Sequence, residues 1–391
     1  MVVEHGDDRG VIEGEKPFPT DGIFGLKNRI DGLYDVDREI AARVLRVTNS
    51  WGKTNPPASM APFLERGFGS VEKVENQPIV RVDVIPLGEG TLFNHLRSRR
   101  PGMSSLADLD EKVQEIIDSS LAKGDVFANP LDGTPESTWG RLQGNHSVTA
   151  ENVAKFDGEH SLVIFNQPHP LRYGREEVVD YLETAKRVWD EQRRHDKDAE
   201  YPFLIWQAMG KSASSVTHGH IQVVSARERH YPKVDRLRTQ AADYKDKYGA
   251  NFWTDYEHLH DKLGLMIRRN GSCVMAHVAP IKEKEIWMLG MDFDREFMND
   301  TFDLLDVYLH RLGVRSFTLS IAKPPIATTE EMRSRGEDWS EFPVLLRLVD
   351  RGDPTSPTAD IGAMELYAAS VVASDPYDVK RVLSEHWGEA A

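Results

Sequence analysis

The segment GKSASSVTHGHIQVV, residues 210–224, sets His218, His220 and Gln222 two residues apart, directly after a run of small residues. If THGHIQVV is a β-strand, its period of two turns these three side chains to one face. Gly219, Ile221 and Val223 then turn to the other. The preceding loop offers backbone N–H groups that can approach an anion closely, the point charge of Lys211 and the hydroxyls of Ser212, Ser214 and Ser215. A phosphate beside an imidazole is the simplest ligand for that arrangement. Neutral imidazole is a competent nucleophile near pH 7, because its unperturbed pKa of about 6.5 leaves much of it deprotonated. Attack on phosphorus gives a phosphoramidate. Gln222 can donate a hydrogen bond to a phosphoryl oxygen without transferring a proton, which suits a reaction whose leaving group is already a good one. Two plainer readings stay open on the residues alone: metal ligation by alternating histidines, or buried histidines with no chemistry.

The rest of the chain bounds these readings. Its 391 residues exceed the usual single-domain length, so two domains or two fused halves are expected. With 40% apolar and 28% charged residues, and no apolar run near the roughly 18 residues of a membrane span, it reads as a soluble globular protein. The start, MVVEHGDDRG, has neither the basic nor the apolar region of a secretory signal, so the cytoplasm is the expected location. Cys273 is the single cysteine. It rules out an intrachain disulfide and any zinc site built on a Cys-x-x-Cys pair, leaving His and carboxylates as the available metal ligands. A formal charge of −15 disfavours nonspecific nucleic-acid binding, whose affinity comes from neutralised phosphates.

The elements that must position the motif follow from periodicity. Residues 1–125, rich in Gly, Pro and charge, read as an N-terminal extension. It carries two helical patterns, DVDREIAARVLRVTN and SLADLDEKVQEIIDSSLAK, the second with Ser105 as N-cap. HSLVIFNQ is a short apolar run bounded by polar residues and reads as a buried strand. REEVVDYLETAKRVWDEQRR puts Val178, Val179, Leu182, Ala185, Val188 and Trp189 on one helical face. YPFLIWQAMG reads as the next strand and THGHIQVVSA as its partner. A similar series recurs downstream: two strands in GSCVMAHVAPIKEKEIWMLG, a helix in DREFMNDTFDLLDVYLHRLG and a strand in SFTLSIAKPP. FPVLLRLVDR then stands where THGHIQVVSA stood. This predicts an α+β protein made of two duplicated halves, each an antiparallel sheet with packed helices, the histidine strand being present only in the first. The charged, aromatic segment 226–262 links the halves, and AMELYAASVVAS reads as a late helix.

The small-residue loop followed by His-x-His-x-Gln resembles the signature of the galactose-1-phosphate uridylyltransferase branch of the histidine triad superfamily. The likeness covers residues 145–391 loosely and 160–224 more specifically, and the first 125 residues show none. It implies histidine-triad-like halves over 126–240 and 241–391. By resemblance His220 matches the nucleophile that forms a nucleotidyl-histidine, and Gln222 the glutamine that holds the phosphoryl group. Ser215 falls on the serine of the phosphate loop, with Ser214 and Lys211 beside it, and Gln207 falls near a phosphate-contacting asparagine. His169 and His218 match two histidines that ligate a structural zinc in many bacterial relatives, but the cysteine pair of that site has no counterpart. The histidine pair of the family's iron site is also missing from FPVLLRLVDR. His95, His146 or His160 would complete a zinc site with His169 and His218 only if the fold gathers them, while His258 and His260 read as surface residues of a charged linker. The function so implied is ping-pong nucleotidyl transfer between a nucleotide-sugar and a phosphorylated small molecule, with a homodimer as the common assembly among relatives. The alternatives are a phosphorylase acting on a dinucleoside polyphosphate or ADP-sugar, and a non-catalytic nucleotide-binding protein.

Overall fold

A computed structural model describes residues 16–99, 106–269, 271–327 and 329–387; Ser105 lies outside them. The extension supplies three strands, β1 (Leu45–Lys53), β2 (Asn76–Val84) and β3 (Glu89–Phe93), paired antiparallel in sequence order. The helix expected through DVDREIAARVLRVTN stops at Val44. From Leu45 the backbone pairs rung by rung with β2, where branched Val47 and Thr48 fit a pleated surface better than a helix.

The first half holds β4 (Ser147–Glu151), β5 (Glu159–Phe165), β6 (Ala199–Ala208) and β7 (His220–Arg227). The second holds β8 (Met266–Arg269), β9 (Ser272–Ala276), β10 (Ile286–Gly290), β11 (Phe317–Ala322) and β12 (Val344–Asp350). All nine form one sheet in the order β4-β5-β7-β6-β11-β12-β10-β9-β8, joined where β6 pairs with β11. Outward from that junction the halves repeat: β6-β7-β5-β4 on one side and β11-β12-β10-β9 on the other. The duplication is therefore present in the topology, with β12 in the place of β7. A last strand, β13 (Ser370–Val372), adds in parallel to β3. AMELYAASVVAS is thus a helix only over Ala363–Tyr367, because its second part finds a strand partner far away in the chain.

Helix Arg175–His195 buries Val178, Val179, Leu182, Ala185, Val188 and Trp189 against the first half, as its 3.6-residue period requires. Helix Arg295–His310 does the same for the second half, and Arg175 donates to Asp303 at 2.6 Å between them. The segment expected as a charged linker forms two helices, Pro232–Tyr248 and Phe252–Lys262. His260 is fully buried there, contrary to a surface role: its Nε2 accepts from Val278 N–H, and its ring packs edge-on to Tyr256.

One row of directly opposed residues crosses the sheet as Ala150, Leu162, Gln222, Ile205, Ser320, Arg347, Trp287. Opposed residues share a face, so Gln222 and Arg347 occupy equivalent rungs in the two halves. Arg347 lies over the Trp287 ring at 4.6 Å and bonds Glu285 of its own half and Glu89 of β3. The extension sheet therefore docks on the face of the second half that corresponds to the motif-bearing face of the first.

Candidate functional site

The site is built by the turn from β6 into β7. Met209 (φ 73°, ψ 155°) and Ala213 (φ 71°) both adopt positive φ, which non-glycine residues rarely take. Between them Gly210–Ser212 makes one 3-10 turn, held by Ser212 Oγ donating to the carbonyls of Ala208 and Met209 at 2.9 and 2.7 Å. Strain this local persists only where the surroundings over-determine it, and it sits at the loop expected to meet an anion. Ser214 Oγ donates to the Val216 carbonyl at 2.7 Å, whereas Ser215 is exposed. Lys211 turns to the second half and donates to the carbonyls of Ser356 and Thr358. Arg351, just past β12, reaches the same loop: its Nη1 lies 3.5 Å from the Ser212 carbonyl and donates to Thr318 Oγ1 of β11 at 2.9 Å, and Asp360 pairs with the guanidinium.

His220 opens β7. Its Nδ1 lies 2.8 Å from the His218 carbonyl oxygen, an acceptor only, so Nδ1 carries the hydrogen. Burial, first, and the neighbouring His218 push the ring below the usual histidine value, outweighing that hydrogen bond, so the ring is neutral at pH 7. The lone pair then sits on Nε2. Phe127 covers the pair of histidines, its ring 5.2 Å from that of His220 and 5.9 Å from that of His218, both edge-on.

His218 precedes the strand and is tied at both nitrogens: Nδ1 is 2.7 Å from Asp125 Oδ2, and Nε2 is 2.7 Å from the Phe165 carbonyl. On the opposite face Gly219 is required, because an added Cβ would lie 2.4 Å from Phe165 Cδ2. Phe165 cannot retreat, being stacked on Tyr181 at 3.7 Å.

Gln222 donates from Nε2 to Gln207 Oε1 at 3.1 Å, and its Oε1 lies 3.0 Å from His160 Nε2. Gln207 in turn donates to the Ser212 carbonyl, which ties the strand to the loop. Beside this polar row lies an apolar one. Leu162 and Ile164 oppose Gln222 and His220 on β5, and with Val148, Ala150, Phe127 and Val216 they form a separate small cluster. Polar groups that can hold a phosphoryl thus adjoin an apolar surface, the usual composition of a ligand site.

The two histidines matched to the zinc ligands are both engaged by groups of the chain itself. Both nitrogens of His218 are engaged as above, His169 Nδ1 accepts from Leu171 N–H at 3.2 Å, and burial, with Arg172 beside it, pushes His169 down to about 4. Cys273 sits in the other half against Glu257 and Arg268. Among the described residues no three His, Cys, Asp or Glu side chains gather to hold a metal ion. His95 lies elsewhere, its ring against Phe24 and its Nε2 3.7 Å from Asp375 Oδ2. His160 joins the motif as a partner of Gln222 rather than as a ligand.

Asp125, Phe127 and Arg351 belong to the site but carry no periodic signal. Asp125 and Phe127 lie in the irregular stretch KGDVFANP, and Arg351 opens a loop 131 positions beyond His220. Only the chain path brings them there.

No family model and no curated protein matches this chain. Solved structures do match its fold. An ADP-glucose phosphorylase from Arabidopsis thaliana with bound ADP-glucose superposes with TM-score 0.57 at 16% identity, over 77% of this chain and 96% of that one. A galactose-1-phosphate uridylyltransferase-like protein from the same plant gives TM-score 0.52 at 17% identity, over 66% and 90%. A uridylyltransferase mutant gives 0.52 at 10% identity, over 68% and 96%. The chain shares the fold of these solved structures. At these identities the likeness describes the fold; the chemistry has to be argued from the site.

Proposed function

We propose that this protein is a nucleotidyltransferase that moves a nucleoside monophosphate between phosphorylated small molecules through a nucleotidyl-His220 intermediate. The observation that carries the reading is the 2.8 Å hydrogen bond from His220 Nδ1 to the His218 carbonyl, which leaves Nε2 with its lone pair in a neutral ring. Nε2 attacks the α-phosphorus of a nucleotide-sugar, a P–N bond forms, and the P–O bond to the departing sugar phosphate breaks. The leaving phosphate has a second pKa near 6, so it needs little general-acid help at pH 7. The charge that develops on the imidazole is met by the His218 carbonyl. Gln222 N–H, Ser215 and the backbone of the Met209–Ala213 turn stabilise the equatorial oxygens, with Gln207 holding Gln222. A phosphorylated acceptor then attacks phosphorus, the P–N bond breaks, and neutral His220 is regenerated. The apolar row of Leu162, Ile164, Val148 and Phe127 supplies a wall for the nucleoside.

The test is intact-protein mass spectrometry after incubation with UDP-, ADP- and GDP-sugars and diadenosine tetraphosphate, for wild type and His220→Ala. An acid-labile nucleoside-monophosphate adduct, absent in the variant, is the expected result and names the base. Turnover with inorganic phosphate alone would convert the reading to a phosphorylase, the chemistry named for the Arabidopsis ADP-glucose phosphorylase that shares the fold. Absence of an adduct with every donor would favour a nucleotide-binding role without chemistry.

A further inference from the structure

The amide of a glutamine can be placed either way round, and only its N–H end is of use to an anionic phosphoryl group. Something must decide the orientation of Gln222. His160, fully buried on β5, is placed to do so. It pairs with Val224 across β5 and β7, one diagonal step from Gln222, and its Nε2 lies 3.0 Å from Gln222 Oε1. The hydrogen on that nitrogen is fixed from the other side of the ring. His160 Nδ1 lies 2.9 Å from the backbone N–H of Phe156, which can only donate. Nδ1 must therefore hold the lone pair, and a neutral ring carries its hydrogen on Nε2. Burial favours the neutral ring. Asn152 Nδ2 also lies 3.2 Å from Nε2, but the Asn152 Oδ1 already accepts from Ala154 N–H, so that amide presents no acceptor there. The acceptor left for the Nε2–H is Gln222 Oε1.

The polarity then runs one way through five groups. Phe156 N–H donates to His160, His160 to Gln222, Gln222 to Gln207 Oε1, and Gln207 to the Ser212 carbonyl of the strained turn. Both ends of the chain are backbone groups, which cannot reverse. Gln222 is left with one N–H beyond the bond to Gln207. The same diagonal in the second half joins Glu285 to Arg347, an acceptor and a donor in the opposite sense. The duplicated sheet thus makes this diagonal a contact in both halves, and the side chains on it set its polarity.

We infer that His160 is the positioning residue that locks the Gln222 amide with its N–H toward the transferred phosphoryl group, as the anchor of a one-directional hydrogen-bond chain from Phe156 to Ser212. This rests on the nucleotidyl-transfer reading for its consequence, and on the hydrogen-bond geometry alone for its orientation. The decisive comparison is His160→Gln against His160→Glu, side chains of nearly equal shape and opposite polarity. Glutamine can place an N–H where His160 Nε2–H stands; glutamate can only accept, and so turns the Gln222 amide over. With UDP-glucose and ADP-glucose as probes, H160Q should form the nucleotidyl adduct within about tenfold of wild type. H160E should be slower by on the order of a hundredfold, the usual effect of losing one phosphoryl- or oxyanion-directed donor, with both variants unfolding at similar temperatures. Equal rates for H160Q and H160E would overturn the inference. Nitrogen-15 spectra of histidine-labelled protein, read without any substrate, give the second arm. A pyridine-type Nδ1 and a pyrrole-type Nε2 on His160, assigned by loss in H160Q, are expected, and the reverse tautomer overturns it. If wild type forms no adduct with any donor, the transfer reading fails while the spectra still decide the orientation.

Discussion

Asp125 Oδ2 sits 2.7 Å from His218 Nδ1, and Asp125 Oδ1 accepts from Phe127 N–H at 2.9 Å. One carboxylate therefore holds both the residue whose carbonyl orients His220 and the aromatic ring that covers it. Replacing Asp125 by Ala frees both at once. We expect D125A to lose about 1–3 kcal/mol of stability, the penalty for a buried polar partner left unmade, and to slow adduct formation by about tenfold or more. D125N, which keeps the shape and an acceptor oxygen, should recover most of the rate. A D125A protein that melts and reacts like wild type would show that the carboxylate does not hold His218 in place.

The rate of nucleotidylation should follow the neutral form of His220. Burial depresses this histidine below its usual value, so the sign is set: activity is retained as pH falls through the ordinary histidine range near 6.5 and is lost only below it. Single-turnover rates from pH 8 down to pH 4 check this. An acid limb at or above the ordinary value would contradict the burial argument.

Stability should show a related but separate acid limb. Burial pushes His230 and His260 each down to about 4. In the unfolded chain they protonate near 6.5, so between these values the unfolded state binds more protons and stability falls as pH falls. Each ring accounts for at most roughly 3 kcal/mol across that window. Urea titrations at pH 7.5 and pH 4.5 should separate clearly in midpoint, and His260→Phe should narrow the gap.

Gly219 admits no side chain. In Gly219→Ala the new Cβ meets Phe165 Cδ2 at 2.4 Å with Phe165 already stacked on Tyr181, which costs on the order of 1–3 kcal/mol. Because Gly219 N–H and carbonyl both bond neighbouring backbone, to Pro168 and Phe165, the shift carries to His218 and His220. Adduct formation should fall more than the melting temperature alone accounts for.

Arg347 ties the extension sheet to the second half. Its loss in Arg347→Met leaves Glu285, whose side chain is wholly buried, and Glu89 without their cation. Breaking such a pair from one side costs about 3–5 kcal/mol. The double variant R347M/E285Q should restore part of it, and an unchanged urea midpoint in R347M would mean that other contacts, such as Thr91 Oγ1 donating to the Pro280 carbonyl at 2.8 Å, dock the sheet without help from the arginine.

Much of this was legible in local pattern. The 3.6-residue stripe of Val178, Val179, Leu182 and Val188 and the apolar run HSLVIF fix their own elements, because burial on one face or both selects those residues. The repetition of strand, helix and strand signals likewise foretold two halves. Where local preference and long-range pairing disagreed, pairing prevailed: Leu45–Asn49 and Ser370–Val372 read as helix, but each pairs with a distant strand. The surface reading of His260 failed for another reason, since a charged helix whose aromatics pack inward resembles an exposed segment in composition alone.

The sequence by itself determined which groups are offered for the proposed chemistry. A period of two aligns His220 with Gln222, and a run of small residues lets backbone reach an anion; both are properties of neighbours in the chain. Only the tertiary structure decided how that chemistry is armed. The carboxylate of Asp125 behind His218 and the direction of the Gln222 amide depend on partners 93 and 62 positions away in the chain. Hydrogen-bond polarity is set by which donor or acceptor the fold delivers to the other side of a ring, and no spacing along the chain encodes that.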